Sequence, residues 1–176
     1  MKGADERSPM EHMAFLSLGS NVGASAENVR AAVVELRSAE GLRVVRVSSL
    51  YLTSPVGRAG QADFVNAAVK AATVLTPEAL LATCKGVERR MGRGEGGERW
   101  GERVMDVDII LYDGLVVNTE KLTIPHPMFR ERLFVLLPLL EIEPGARTPD
   151  GTPVEKILRS GLKKSIFFNQ KVARIE

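Results

Sequence analysis

The chain is poor in cysteine, in net charge and in long apolar runs. Its single cysteine, Cys84, excludes an internal disulfide and a cysteine-based zinc site. No apolar run approaches the roughly 20 residues that a membrane-spanning helix needs, and residues 1–12 contain no apolar signal-peptide core. The net charge of +2 is too small to argue for nucleic-acid binding. We therefore expect a cytoplasmic protein without a membrane, nucleic-acid or obligate protein partner.

Length and composition fit one globular domain. A chain of 176 residues can bury a hydrophobic core, and its fractions of 44% hydrophobic and 26% charged residues are ordinary. Residues 1–12 are predicted to form a flexible lead-in, and residues 13–176 a single domain. Cys84 falls at an apolar position of a predicted helix, so we expect packing there and not reactivity.

Charge is more informative in its distribution than in its sum. Residues 85–103 contain six basic and four acidic side chains, and five glycines lie between Gly92 and Gly101. Such glycine density excludes regular structure and predicts a mobile loop. The last 23 residues carry six basic against two acidic side chains, which indicates a solvated tail or helix face.

Hydrophobic periodicity predicts alternating strands and helices. One helix carries an apolar stripe of Val29, Ala32, Val33 and Leu36, and another begins at Thr76-Pro77-Glu78. The segment 134–142 stays ambiguous between strand and short helix because Pro138 interrupts it. Strands are predicted at 13–20, 42–56, 64–75 and 103–114. This order is typical of an α+β ferredoxin-like split βαβ sandwich, in which helices pack on an antiparallel four-stranded core sheet and the active-site loops are mobile.

The fourth strand carries two acidic residues at alternate positions. Asp106 and Asp108 project from one face, with Cα atoms about 6.5–7 Å apart. Carboxylates that close repel each other unless a cation lies between them. Few protein ligands and open positions suit Mg²⁺, which retains water and accepts substrate phosphates. The alternative is a polar pair on a solvent-exposed sheet face, since single motifs often mislead.

Neighbouring residues favour the magnesium hypothesis. Arg93, Arg99 and Arg103 precede the aspartates, and guanidinium groups bind phosphate through a planar fork of donors. His126 lies between two prolines that fix its backbone, although a lone histidine is usually structural. Trp100 lies in the glycine-rich loop, where closure over a ligand fits better than core packing.

Two further features have structural alternatives. Asn66 interrupts an apolar run, and an unpaired buried amide would cost about 1–3 kcal/mol. It therefore bonds to the backbone or reads the edge of a heterocycle. The sequence from Gly19 to Gly23 looks like a phosphate loop but lacks its lysine and spacing. We predict a structural turn there.

Five segments together carry a resemblance to a known family. They are FLSLGSNVG, SSLYLTSPVG, DFVNAAV, RWGERVMDVDIILYDG and LTIPHPMFRERLFVLLPL. In this order, from about Phe15 to Pro153, they resemble the 6-hydroxymethyl-7,8-dihydropterin pyrophosphokinases of folate biosynthesis. The resemblance implies transfer of the pyrophosphoryl group of ATP to the hydroxymethyl oxygen of the pterin, leaving AMP. It implies small-molecule substrates and two Mg²⁺ ions.

The same resemblance implies roles for individual residues. Asp106 and Asp108 would hold the magnesium ions. The catalytic set would be Arg93, Arg103, Asp106, Asp108 and His126. The ATP-binding set would be Lys85, Glu88, Trp100, Ile109, Thr123 and Arg132. The pterin-binding set would be Thr53, Val56, Phe64, Asn66, Trp100 and Phe134, with the two phenylalanines stacked on opposite faces of the ring.

Two alternatives belong to other classes of protein. A ferredoxin-like RNA-binding module would use its sheet face, but such modules present aromatic side chains there, whereas this strand presents two aspartates. A relative that binds pterin or nucleotide without catalysis is the second alternative. The presence of both aspartates, Arg103, His126 and Asn66 argues against it.

Overall fold

Strands β1 (His12–Ser20) and β4 (Phe64–Thr73) pair along their whole lengths at the centre of an antiparallel sheet. They belong to a computed structural model that describes residues 10–55, 60–92 and 102–175. Most residues of both strands are buried, because helices cover the sheet. The central strands therefore form the rigid base on which the remaining elements are assembled.

The predicted α+β sheet is confirmed, with one interruption and one addition. The predicted strand 42–56 is divided into β2 (Leu42–Val47) and β3 (Tyr51–Thr53), and both pair with β4. Between them, the Ser48 hydroxyl accepts a hydrogen bond from the Ala68 N–H, at 2.8 Å. The Ser48 N–H still donates to the Ala68 carbonyl at 2.9 Å, so the serine side chain takes the place of only one of the two backbone bonds of a regular strand pair. At one edge of the sheet, β5 (Asp106–Tyr112) pairs with β1. At the opposite edge, β8 (Val172–Arg174) pairs with β3.

Two helices pack on one face of the sheet. Helix α1 (Ser25–Arg37) buries the predicted stripe of Val29, Ala32, Val33 and Leu36. Helix α2 (Pro77–Arg90) begins as predicted, since the Thr76 hydroxyl accepts a hydrogen bond from the Ala79 N–H. Both helices share a core with Leu16, Val69 and Val107. None of the helices in the described ranges is both long and apolar enough to cross a bilayer.

The opposite face is covered over only part of its area. The ambiguous segment forms helix α3 (Leu133–Ile142), which tolerates Pro138 within its ten residues. Helix α4 (Val154–Lys163) packs beside it. The two helices form a second core with Ile110, Phe129 and Phe167. Two short strands, β6 (Val117–Asn118) and β7 (Thr123–Ile124), and a 3-10 turn (Phe129–Glu131) connect β5 to α3. The uncovered part of this face is available for a site.

Cys84 is fully buried in α2, as predicted. Burial raises the pKa of its thiol to about 12, and the nearby carboxylate of Glu88 adds to the rise. Because thiolate is the reactive form, we expect less than about one tenth of the thiol to react with an aromatic disulfide reagent at pH 8. In concentrated guanidinium the same reagent should label the thiol fully. Rapid labelling of the folded protein would contradict this packing.

Candidate active site

The uncovered sheet face forms the floor of a cavity of about 670 Å³. Asp106 and Asp108 point into it, whereas Val107 and Ile109 are buried on the opposite face. Strand pairing places Gly19 beside Asp106 and Ser17 beside Asp108. Asn66 follows on β4, opposite Gly19. The predicted shared face of the two aspartates is therefore present, and it opens into a cavity.

Asp106 is paired with an arginine from the same chain segment. The Nη1 atom of Arg103 lies 3.0 Å from both carboxylate oxygens of Asp106, and each side chain is only about 25% exposed. Partial burial strengthens the pair because the local dielectric is lower than that of water. Arg103 thus neutralises one of two carboxylates that would otherwise repel each other.

Asp108 faces two side chains from the segment after β7, the guanidinium group of Arg132 and the imidazole ring of His126. Its Oδ2 atom lies 3.8 Å from Nη1 of Arg132 and 3.9 Å from Nε2 of His126. The His126 ring accepts a hydrogen bond at Nδ1 from the Met128 N–H, which assigns the ring proton to Nε2. Burial lowers the pKa of His126, Asp108 opposes that shift, and Arg132 adds to it. A neutral imidazole with its N–H toward the aspartate follows.

The other end of the cavity is aromatic and amide-bearing. The buried Asn66 donates from Nδ2 to the Thr53 hydroxyl at 2.8 Å. The buried amide of Asn66 was predicted to need a hydrogen-bond partner, and that partner is the Thr53 side chain and not the backbone. Phe64 and Phe134 line the cavity, and the Arg132 guanidinium lies 5.7 Å from the centre of the Phe134 ring. A flat polar-edged ligand would find two rings and a fixed amide here.

Four residues predicted for the nucleotide side do not line this cavity: Lys85, Glu88, Ile109 and Thr123. Ile109 packs in the α1–α2 core because strand alternation turns it away from Asp108. The buried Glu88 carboxylate accepts from the Val107 N–H and from Lys85. Thr123 pairs with Asn118 in a two-stranded ribbon.

Three other predicted residues, Val56, Arg93 and Trp100, lie outside the described ranges, as does the glycine-rich loop that was predicted to be mobile.

The end of β1 and the turn that follows it contribute to the cavity, beyond the structural role that was predicted for residues 19–23. Gly19 lines the cavity, and the buried Asn21 holds the backbone of Arg103 through two bonds. Its Oδ1 accepts from the Arg103 N–H at 2.7 Å, and its own N–H donates to the Arg103 carbonyl at 3.1 Å. Gln61 also lines the cavity and accepts from Asn21 Nδ2 at 3.4 Å. In the sequence, the available signal for this role was that Asn21 is a polar residue directly after a buried strand.

Comparison with known proteins identifies the family. A family model described as 7,8-dihydro-6-hydroxymethylpterin-pyrophosphokinase (HPPK) matches residues 15–144. The chain is 47% identical over 131 residues to a 2-amino-4-hydroxy-6-hydroxymethyldihydropteridine pyrophosphokinase of Methylorubrum extorquens, covering 74% of this chain and 82% of that one. It is 44% identical over 133 residues to the enzyme of the same name from Bacillus subtilis, covering 76% and 79%. The chain belongs to the HPPK family. The predicted resemblance is confirmed.

Solved structures of HPPK-DHPS proteins share this fold. The chain aligns with a TM-score of 0.69 and 15% identity to HPPK-DHPS in complex with substrates, covering 92% of this chain and 47% of that chain. It aligns with a TM-score of 0.68 and 17% identity to Plasmodium falciparum HPPK-DHPS with pterin and p-hydroxybenzoate, covering 94% and 47%. The chain therefore spans about half the length of these proteins. At such low identity the likeness supports the fold alone.

The donor atoms of the aspartate pair fit magnesium. Within residues 10–55, 60–92 and 102–175, no group of three histidine, cysteine, aspartate or glutamate side chains is placed to hold a metal ion. Two carboxylates on one face supply hard oxygen ligands and leave most coordination positions open. This donor set suits an ion that retains water and takes its remaining ligands from phosphate. A tetrahedral zinc site would require more protein ligands.

The close approach of Gly19 to Asn66 gives a stability test. A Cβ at Gly19 would lie 2.9 Å from Oδ1 of Asn66, so Gly19→Ala should displace the amide and break its bond to Thr53. We expect a loss of about 1–3 kcal/mol in the free energy of unfolding, measured by denaturant titration. Gly114→Ala is the control, since nothing lies within 4 Å of its Cβ position. Equal stability of the two variants would contradict the packing described.

Proposed function

We propose that this protein transfers the pyrophosphoryl group of ATP to the hydroxymethyl oxygen of 6-hydroxymethyl-7,8-dihydropterin. The products are the pterin diphosphate and AMP, and the reaction belongs to tetrahydrofolate biosynthesis in the cytoplasm. One observation carries the proposal: a single cavity joins an aromatic, amide-bearing end to an end with two carboxylates and two guanidinium groups. Membership of the HPPK family supports it.

The pterin would occupy the aromatic end. Phe64 and Phe134 would stack on its two faces, and the Asn66 amide would read the polar edge of the ring. Asn66 is suited to this because its Nδ2 is already held by Thr53, which fixes the orientation of the amide. A fixed amide loses little conformational entropy on binding. Val56 and Trp100 are proposed from family resemblance to complete this slot.

The triphosphate would occupy the charged end. Arg132 and His126 lie within 4 Å of Asp108, and the His126 Nε2–H would donate to a phosphate oxygen. Arg103 would exchange its bond with Asp106 for a phosphate oxygen, since guanidinium binds either anion. Arg93 is proposed to add a further phosphate contact. In this reaction class the protein acts mainly by positioning the reactants and stabilising charge.

Asp106 and Asp108 would hold two Mg²⁺ ions. When bound, such ions neutralise the charge of the triphosphate and hold its oxygens in place for in-line transfer. Asp106 is kept in position by strand pairing with Gly19, and its neighbour Val107 is held by a bond from its N–H to Glu88 at 2.9 Å. The two carboxylates are therefore positioned by the backbone of β5.

Lys85, Glu88, Ile109 and Thr123 remain proposed for the adenosine side. The cavity described above accounts for the phosphates and the pterin. None of the four lines this cavity, and Ile109 and Glu88 are buried behind β5, so an adenosine site that includes them would lie beside this edge strand and outside the cavity. Two of the four residues are charged, and Lys85 is the more exposed of them, with 41% of its side chain accessible against 2% for Glu88.

An RNA-binding role is less well supported. One face of the sheet is covered by α1 and α2, and the other is partly covered by α3. The remaining open area presents Asp106 and Asp108, which would repel a phosphate backbone. Phe64 and Phe134 line a cavity and are not displayed on an open sheet face, which is where RNA-binding modules of related topology stack bases.

The metal role of Asp108 can be tested by an isosteric substitution. Asp108→Asn removes the charge that would hold the cation, so we expect the rate of AMP release from ATP and pterin to fall at least about 100-fold. The variant should remain folded, because relief of the repulsion from Asp106 opposes the loss of the pairing with Arg132. Release of AMP is measured with and without the pterin, and with excess chelator, which should abolish turnover of the unmodified protein.

The matched control for this test is Glu120→Gln, which makes the same chemical change at an exposed surface position. It should leave the rate unchanged. Near-normal turnover by Asp108→Asn would show that this carboxylate is not a required metal ligand. Pterin-independent release of AMP by the unmodified protein would contradict the proposed acceptor.

A further inference from the structure

The residues that follow α4 lie outside the family match, which ends at residue 144, yet they form part of the cavity wall. We call residues 164–175 the C-terminal segment. Ile166 and Gln170 of this segment line the cavity. The segment is anchored by Phe167, which is buried in the α3–α4 core. A Cβ at Gly161 would lie only 2.3 Å from the Phe167 ring, so α4 admits this ring through its glycine.

Gln170 bonds to the backbone on both sides of Arg132. Its Nε2 donates to the Glu131 carbonyl at 2.7 Å, and its Oε1 accepts from the Leu133 N–H at 2.8 Å. Both ends of the amide are therefore engaged, and both bonds are short. The single residue between these two contacts is Arg132, whose guanidinium lies beside Asp108.

One of these bonds provides a partner for a backbone N–H group at the start of α3. The first N–H groups of a helix have no partner within the helix, and the N-cap residue normally accepts one of them with an oxygen of its side chain. Arg132 is the N-cap of α3, and its side chain forms no capping bond. A guanidinium has no acceptor atom. Gln170 accepts the N–H of Leu133, the first residue of the helix, so one of these groups has a partner although an arginine occupies the N-cap position and reaches Asp108.

The C-terminal segment also contacts the opposite wall of the cavity. The Lys171 N–H donates to the Ser54 hydroxyl at 3.1 Å, and the Ser54 N–H donates to the Lys171 carbonyl at 3.0 Å. The next residue, Val172, pairs with Thr53 in the sheet. Thr53 is the partner of Asn66. Through neighbouring residues, the segment thus joins the wall near Asn66 to the wall that carries Arg132.

We propose that Gln170 is a positioning residue of the reaction, which holds Arg132 in the orientation that binds the phosphates of ATP. The identity of the nucleotide rests on the proposed function. The contact through Arg132 does not depend on the proposed function, because any nucleoside triphosphate bound at this end of the cavity would contact the same guanidinium group. Loss of Gln170 should therefore weaken nucleotide binding through Arg132 and not through general loss of the fold.

The test is a double-mutant cycle read by binding. Affinity for a non-hydrolysable ATP analogue with magnesium is measured by calorimetry for the unmodified protein, Gln170→Ala, Arg132→Ala and the double variant. We expect Gln170→Ala to weaken binding about 5- to 20-fold. In the Arg132→Ala background the same change should weaken binding less than about 2-fold, since residues acting through one contact are not additive.

Two further variants make the result decisive. Asn169→Ala, an exposed neighbour in the same segment, should leave affinity unchanged. Gln170→Met keeps the length of the side chain and loses both hydrogen bonds without adding charge, so its affinity should fall as in Gln170→Ala. It also replaces Gln170→Ala in the cycle if that variant does not fold, as judged by circular dichroism.

Two outcomes would overturn the inference. One is unchanged analogue affinity in folded Gln170→Ala, even if its melting temperature falls, because that result indicates a purely structural role. The other is full additivity with Arg132→Ala. Failure of the proposed function would look different: the unmodified protein would form no pterin diphosphate, while the coupling of Gln170 to Arg132 in analogue binding could still be measured.

Discussion

The repulsion between two carboxylates on one strand face is the constraint on which the site depends. The carboxylates of Asp106 and Asp108 repel each other in a partly closed cavity unless cations lie beside them. Arg103 lies 3.0 Å from Asp106, and Arg132 lies 3.8 Å from Asp108. These guanidinium groups are also the ones available to phosphate. Under the proposed function, the same two guanidinium groups would pair with the carboxylates before the nucleotide binds and with its phosphates afterwards.

Two sets of hydrogen bonds outside the cavity hold the backbone that carries these charged side chains. Behind β5, the buried Glu88 carboxylate accepts the Val107 N–H and pairs with Lys85, which fixes the start of the strand against α2. Beside it, Asn21 holds the Arg103 backbone at both its N–H and its carbonyl. Neither contact touches the cavity charges themselves. Both remove freedom from the backbone that carries them, and such preorganisation lowers the cost of binding.

Much of the fold and part of the site could be predicted from local pattern. Strand periodicity placed Asp106 and Asp108 on one face, and helical periodicity gave the buried stripe of α1, because both depend only on spacing along the chain. The division of the second strand was missed, since Ser48 bonds to Ala68 across the sheet. Asn21 and Gln170 were missed for a related reason: their partners lie tens of residues away in sequence. Side-chain amides at such distances leave no periodic signal.

The C-terminal segment shows why average composition misled there. Its excess of basic residues correctly predicts exposure of Lys164 and Lys171, but a few other residues decide where the segment lies. An arginine at an N-cap is unfavourable twice over, because it cannot accept a hydrogen bond and its charge faces the positive end of the helix dipole. Arg132 is tolerated at the start of α3 since Asp108 offsets its charge and Gln170 accepts the N–H of Leu133, the first helical residue. Local helix stability is thus traded for a cation inside the cavity, as is common where a fold carries a functional site.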